Sequence, residues 1–303
     1  MAYFGNRKYV LRHWKKLARW STRSFLSWTV MIVTISGSLI AFLPEDDASG
    51  LREVVHYLWV HPWLLVSILV VLAGLAVFYN WPLTHAEYKD KNTDIRVIIE
   101  CCDILEQRGL KVIHAVDTFD TELDRIITRR SLHGAFLQVC QAQKVDIDAI
   151  IDERLRELKP TATDKNLPGR KKRYALGSLC PVVIGDRHYC LSAFTHLQPN
   201  GTISITKDEY IACLKQMWRN LAEPRMREEV VNVAVMGNRF VDLPAEFSTE
   251  QKIDLMIQTF FAVAREKTCC RTLRICIHPD NVTEIDFGNY SIIMEHLSKR
   301  PVI

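Results

Sequence analysis

Hydrophobic positions fall into two kinds of run along the chain. Two runs are long and unbroken: residues 25–43, FLSWTVMIVTISGSLIAFL, hold no charge, and neither do residues 63–79, WLLVSILVVLAGLAVFY. The others are as short as strands or recur at helical spacing. After a polar stretch at 82–94, IRVIIECC (95–102) is compact and rich in β-branched residues, and Leu110–Val116 repeats that pattern. DIDAIIDERLREL (146–158) places Ile147, Ile150, Ile151, Leu155 and Leu158 on one helical face. Two apolar runs, 181–184 and 188–194, flank Gly185-Asp186-Arg187 as a hairpin would. Residues 206–221 read as a helix, 229–236 as a buried strand, and 273–277 as a last strand before a helix around 288–299. Ser248 with Gln251 forms a capping box for a helix carrying Ile253, Met256, Ile257, Phe260, Phe261 and Ala264. Strands apolar on both faces, alternating with helices, give an α/β domain with a layered sheet over about 90–303.

The two long runs ask for a different solvent. A bilayer core about 30 Å thick needs roughly 20 apolar residues as helix. The first run fits, and the second fits if its helix starts near Leu58 and ends near Trp81. Trp28, Trp59, Trp63, Tyr79 and Trp81 near the run ends resemble an interfacial aromatic belt. A signal peptide and a buried core hairpin are the rival readings. The first is opposed by the run's length and its ending in Phe42-Leu43-Pro44 followed by acids, the second by the belt. The expected organisation is therefore a basic tail (1–24), two transmembrane helices (about 25–43 and 58–80, within 25–81), a linker (82–94) and the α/β domain.

Charge then orients the expected hairpin. Net charge is +4; the tail contributes Arg7, Lys8, Arg12, Lys15, Lys16, Arg19 and Arg23 without an acid, and the loop 44–53 is acidic through Glu45, Asp46, Asp47 and Glu53 against Arg52. The positive-inside rule places the N-terminus and everything after Trp81 in the cytoplasm, with membrane lipid as a partner. What remains, 54–303, is near neutrality, which argues against a nucleic-acid reader. The nine cysteines form no CxxC pair and sit mostly in apolar runs, so they read as reduced, buried thiols rather than a zinc site.

Three polar clusters fall at strand ends, where ligands of such sheets bind. They are Asp103; Asp117-Thr118-Phe119-Asp120 with Ser131-Leu132-His133-Gly134; and Gly237-Asn238-Arg239-Phe240. Glycine lets backbone N–H groups approach a phosphate, Arg239 offers a charge-assisted contact, and Asp103 can accept from an amine. Together they point to a nucleotide-like ligand with a diphosphate. Each has a plainer reading. His133 near Asp120 is either a base for hydrolysis or a group that orders its loop. Asp117, Asp120, Glu122 and Asp124 either bind a divalent metal or cap and solvate their loop. The GRKKR run in the loop 160–173 either touches phosphates and headgroups or is simply solvated. GxxxxGK[ST], GxGxxG, HExxH and GxSxG are all absent.

The succession IIECCDIL, VIHAVDTFDT, SLHGAF and VNVAVMGNRFVDLP resembles a divergent macro domain. With two preceding hydrophobic helices it resembles the membrane effectors of macro-type Thoeris antiphage systems. The resemblance implies a three-layer α/β/α macro-like domain after a two-helix transmembrane hairpin. It implies a location in the bacterial inner membrane, a homo-oligomer, and no catalytic residue, metal or cofactor. The ligand it implies is an ADP-ribose derivative, an amino-acid conjugate being one such, made from NAD by a partner TIR-domain enzyme. Binding would trigger membrane disruption and abortive cell death. Asp103 would face the adenine end, Asp117, Thr118 and Asp120 with Ser131, His133 and Gly134 the distal ribose, and Gly237, Asn238, Arg239 and Phe240 the diphosphate. The usual Asn-rich catalytic loop reads Asp117 to Asp120 here. The alternative implied by the same resemblance is a membrane-tethered ADP-ribosyl hydrolase.

Overall fold

The computed structural model describes residues 7–42, 50, 53, 54, 56, 57, 60–81, 83–90, 93–237, 247–279, 281 and 285–299. Two compact units divide the chain, residues 1–84 and 85–303.

The first unit holds two packed helices, α1 (Arg7–Phe42) and α2 (Pro62–Tyr79). Pro62 opens α2, where a missing N–H costs nothing. Trp28 meets Tyr79 edge-on with centroids 5.5 Å apart, and Asn80 donates to the Ser24 hydroxyl at 2.9 Å. Thr22, Thr29, Thr34 and Ser67 turn their hydroxyls back onto carbonyls four residues earlier. The expected transmembrane hairpin, and the multi-pass inner-membrane location built on it, are corrected here. Among the described residues no helix is long and apolar enough to cross a membrane. The second span required a helix from near Leu58, whereas α2 begins at Pro62 and has 18 residues. That length rises about 27 Å, short of a hydrocarbon core of about 30 Å. Of α1, the first half is the basic tail, and Ser27, Thr29, Thr34, Ser36, Gly37 and Ser38 interrupt the rest. Most of the acidic loop 44–53, with Leu58 and Trp59, lies outside the described residues.

The second unit is built on one twisted sheet in the order β1-β2-β10-β9-β3-β7-β6, with β8 paired to the end of β7. The strands are β1 (His85–Lys89), β2 (Arg96–Cys101), β3 (Leu110–Val116), β6 (Leu179–Ile184), β7 (Arg187–Leu197), β8 (Ile203–Ser204), β9 (Val230–Ala234) and β10 (Thr272–Ile277). A separate small hairpin pairs β4 (Ala162–Thr163) with β5 (Lys172–Arg173). The five central strands are parallel, and β1 and β6 close the two edges antiparallel. Parallel neighbours need crossovers, and helices supply them. α3 (Leu132–Ala142) and α4 (Ile147–Leu155) lie between β3 and β6 in the chain, α5 (Lys207–Leu221) between β8 and β9, and α6 (Thr249–Glu266) between β9 and β10. α7 (Phe287–Lys299) follows β10 and packs on β1.

Alternation along the strands divides the core. Tyr189 of β7 meets Phe136 of α3, with centroids 4.9 Å apart. Phe194, five positions further along the strand, points the other way and meets Tyr210 of α5 at 5.5 Å. Trp218 and Phe260 join α5 to α6 at 5.4 Å. All nine cysteines are free and eight are buried, Cys102 being the partly exposed one. The linker expected at 82–94 contains β1, whose residues HAEYK carry too few apolar side chains to announce a strand. They form one because β2 offers its open edge.

A candidate ligand crevice at the carboxyl edge of the sheet

The parallel strands all end at one edge, so the turns after β2, β3 and β9 are brought together there. Asp103 follows β2, is exposed, and caps a short 3-10 turn by accepting from Leu105 N–H at 2.9 Å. β9 lies beside β3, so Gly237 and the 117–120 turn occupy neighbouring strand ends. Asn238, Arg239 and Phe240 lie outside the described residues.

The 117–120 turn is buried and fully engaged. Asp117 Oδ2 accepts from Arg173 Nη1 at 2.7 Å and faces His196 Nδ1 at 2.8 Å, while Oδ1 accepts from Leu197 N–H at 3.0 Å. Burial alone would raise this carboxyl, but the bonds from His196, Leu197 and Arg173 outweigh it and hold it below the usual carboxylate range. His196 is shifted up, chiefly by its bond to Asp117, and its other nitrogen faces Glu209 at 3.3 Å. Asp120 behaves in the opposite way. It accepts from Thr118 Oγ1 and from Arg170 N–H, yet burial still raises it. Between them Phe119 is wholly buried at φ +53°, a backbone conformation rare for a bulky residue and held there by the Phe119 N–H bond to Val116.

His196 and Leu197 belong to β7, and the remaining distant partners come from one arm, residues 160–174. Arg173 reaches Asp117, Tyr174 N–H bonds the Asp117 carbonyl, and Arg170 reaches Asp148 and Asp152 of α4. Gly169 lies so close that a Cβ there would collide with the Asp120 carboxylate. The GRKKR run, read from sequence as a solvated loop with a possible phosphate contact, turns two of its arginines inward. Sequence reasoning missed Arg170, Arg173, His196 and Glu209. The signal was present in the excess of acids at 117–124 facing an excess of bases at 170–173, but the pairing spans 56 residues.

The start of α3 carries the other half of the cluster. Ser131 is its N-cap, accepting from Gly134 N–H at 2.9 Å. Gly134 is required, because a Cβ would strike the Thr128 carbonyl oxygen. His133 is 4% exposed, burial pushes its pKa down to about 3, and its Nε2 has no hydrogen-bond partner among the described residues. A neutral imidazole of that kind is a poor proton acceptor near neutral pH, and no hydrogen bond joins it to Asp120 among the described residues. Glu122 and Asp124 are taken by Arg125 and Arg129, and among the described residues no cluster is arranged to hold a metal.

The β9 turn is held from beneath. Gly237 adopts φ +79°, open to glycine without strain. Its carbonyl accepts from Lys252 Nζ at 2.9 Å, and the Met236 carbonyl from the Tyr210 hydroxyl at 3.3 Å. Lys252 is buried in the first turn of α6; its place in an amphipathic helix gave no hint of this.

Comparison with known proteins gives the following. The family "Thoeris protein ThsA, Macro domain" matches residues 97–278, more than half of the chain. The Thoeris protein ThsA of Bacillus amyloliquefaciens (strain Y2) is 24% identical over 258 residues, covering 82% of either chain. Among solved structures, the Oceanobacillus iheyensis macrodomain with ADP aligns at a TM-score of 0.43 and 12% identity, covering 70% of this chain and 97% of that one. A variant of the same macrodomain with ADPR aligns at 0.44 and 11%, covering 71% and 100%.

Proposed function

The chain belongs to the Thoeris ThsA macro-domain family, and from that premise we propose that it is an antiphage-defence effector whose crevice binds an ADP-ribose-type nucleotide as a signal. The signal is made from NAD by a partner TIR-domain enzyme, and an amino-acid conjugate of ADP-ribose is one form it takes. The observation that carries this reading is the family match over 97–278, which runs from β2 to β10 and takes in the turns after β2, β3 and β9. The geometry adds two supports. Gly237 sits at a strand end with the positive φ that lets backbone approach a phosphate. The buried Nε2 of His133, without a partner among the described residues, is a hydrogen-bonding atom that a distal group could satisfy.

The site is a receptor rather than a hydrolase in this reading. The acids of the 117–120 turn are spent on Arg173, His196 and the arm, and His133 is neutral. Calorimetry and thermal unfolding of the full chain with ADP-ribose, an amino-acid conjugate of ADP-ribose, ADP and adenosine test it. At a hundredfold excess over Kd, a bound ligand raises Tm by about 5 °C or more. Recovery of intact ligand by chromatography is expected. Consumption of the ligand would make the protein a hydrolase, and no shift with any of the four would overturn the reading.

A further inference from the structure

Two successive carbonyls at the end of β9 are tied down by buried side chains of different helices. Tyr210 of α5 donates to Met236, and Lys252 of α6 donates to Gly237. Neither helix needs these bonds. Ser248 and Gln251 already close the start of α6 with a reciprocal capping box, and the macrodipole there opposes a cation. Lys252 is only 7% exposed, and burying an ammonium is costly unless it is bonded. Tyr210 is fixed in turn, edge-on to Phe194 and stacked on Phe247 at 6.1 Å, and burial keeps its hydroxyl protonated and able to donate. In a trans peptide the C=O and N–H point opposite ways. Holding the Met236 carbonyl toward Tyr210 therefore turns the Gly237 N–H away from Tyr210.

We propose that Lys252 is a positioning residue for phosphate recognition. With Tyr210 it presets the β9 turn so that its donor side faces the crevice, and its ammonium places buried positive charge behind the phosphates. The inference rests on the nucleotide-binding reading of the crevice and deepens it, assigning discrimination for phosphate to a side chain beneath the turn. In a low-dielectric site such a charge acts at a distance that surface lysines lose to screening.

The test is calorimetry of the full chain with ADP-ribose, ADP and adenosine at two salt concentrations. Lys252→Met is expected to weaken ADP and ADP-ribose about tenfold or more, by a similar factor at both salt concentrations, and to leave adenosine within about twofold. Lys252→Arg restores most of the loss. Tyr210→Phe, which removes one hydroxyl and keeps the ring, weakens the phosphate ligands about threefold and serves if Lys252→Met unfolds. Equal losses for adenosine and ADP, unchanged ADP binding, or a loss that disappears at high salt overturn the inference and leave the crevice reading standing. A wild-type chain that binds none of the three overturns both.

Discussion

The turns after β3 and β9 stand side by side at one edge of the sheet, yet they use polarity in opposite ways. The β3 turn displays the richer set of hydrogen-bonding residues, and nearly all of it is consumed internally: Asp117 by Arg173, His196 and Leu197, Asp120 by Thr118 and Arg170. The β9 turn contributes a glycine, and the charge that matters lies under it on Lys252. A dense polar motif is thus evidence of a costly local architecture before it is evidence of a ligand contact, and a sparse glycine turn can be the better prepared for binding.

The contrast can be broken most severely at Asp117. Asp117→Asn removes the charge that Arg173 and His196 share while leaving both partners half-buried, and breaking a buried pair in this way costs about 3–5 kcal/mol. Denaturant unfolding of the variant should show that loss; a change under about 1 kcal/mol would mean the β3 turn is not the structural anchor described. Gly134→Ala comes next. Its new methyl meets the Thr128 carbonyl, a backbone atom that cannot swing aside, and overpacking of this kind costs about 2 kcal/mol by the same measurement.

The smallest effect is the pH dependence. His196 is raised above its unfolded value, so its contribution is complete below about pH 6.5 and is lost as pH rises through its folded pKa. Asp117 is lowered, so its contribution is complete above about pH 3.9 and is lost as pH falls through its folded pKa. Stability should therefore be greatest in the weakly acid range and decline towards alkaline pH. Because His196 is a third exposed, the alkaline loss is under about 1 kcal/mol. His196→Gln should remove that decline in unfolding experiments from pH 5 to 9.

Local patterns carried much of this fold. The β-branched run at 110–116 is β3 residue for residue, and the Ser248–Gln251 box caps α6 as its letters suggest. Two elements were hidden. α3 begins with Ser-Leu-His-Gly, which reads as a turn until Ser131 is seen capping it. β1 is polar and exists because β2 has an edge to fill. In the site, sequence placed Asp103, the 117–120 turn, the 131–134 segment and Gly237 at one edge. It did not reveal that Arg173 would occupy Asp117, because no short-range rule links positions so far apart. The two apolar helices were legible as helices; the inference from apolar length to a bilayer was the step that failed.

The ion pair between Asp117 and Arg173 closes a loop that contains both α3 and α4. Those helices cover one side of β3, β7 and β6, and the arm that follows them is fastened back to the strand that precedes them. The whole segment from 117 to 173 is thereby strapped to the sheet at both of its ends, and Arg170 rivets the arm to α4. Fluctuations that would lift α3 alone must first release the strap, so this layer opens as one cooperative unit or stays shut. The compliance of the wall around His133 is thus governed by a carboxylate on another element.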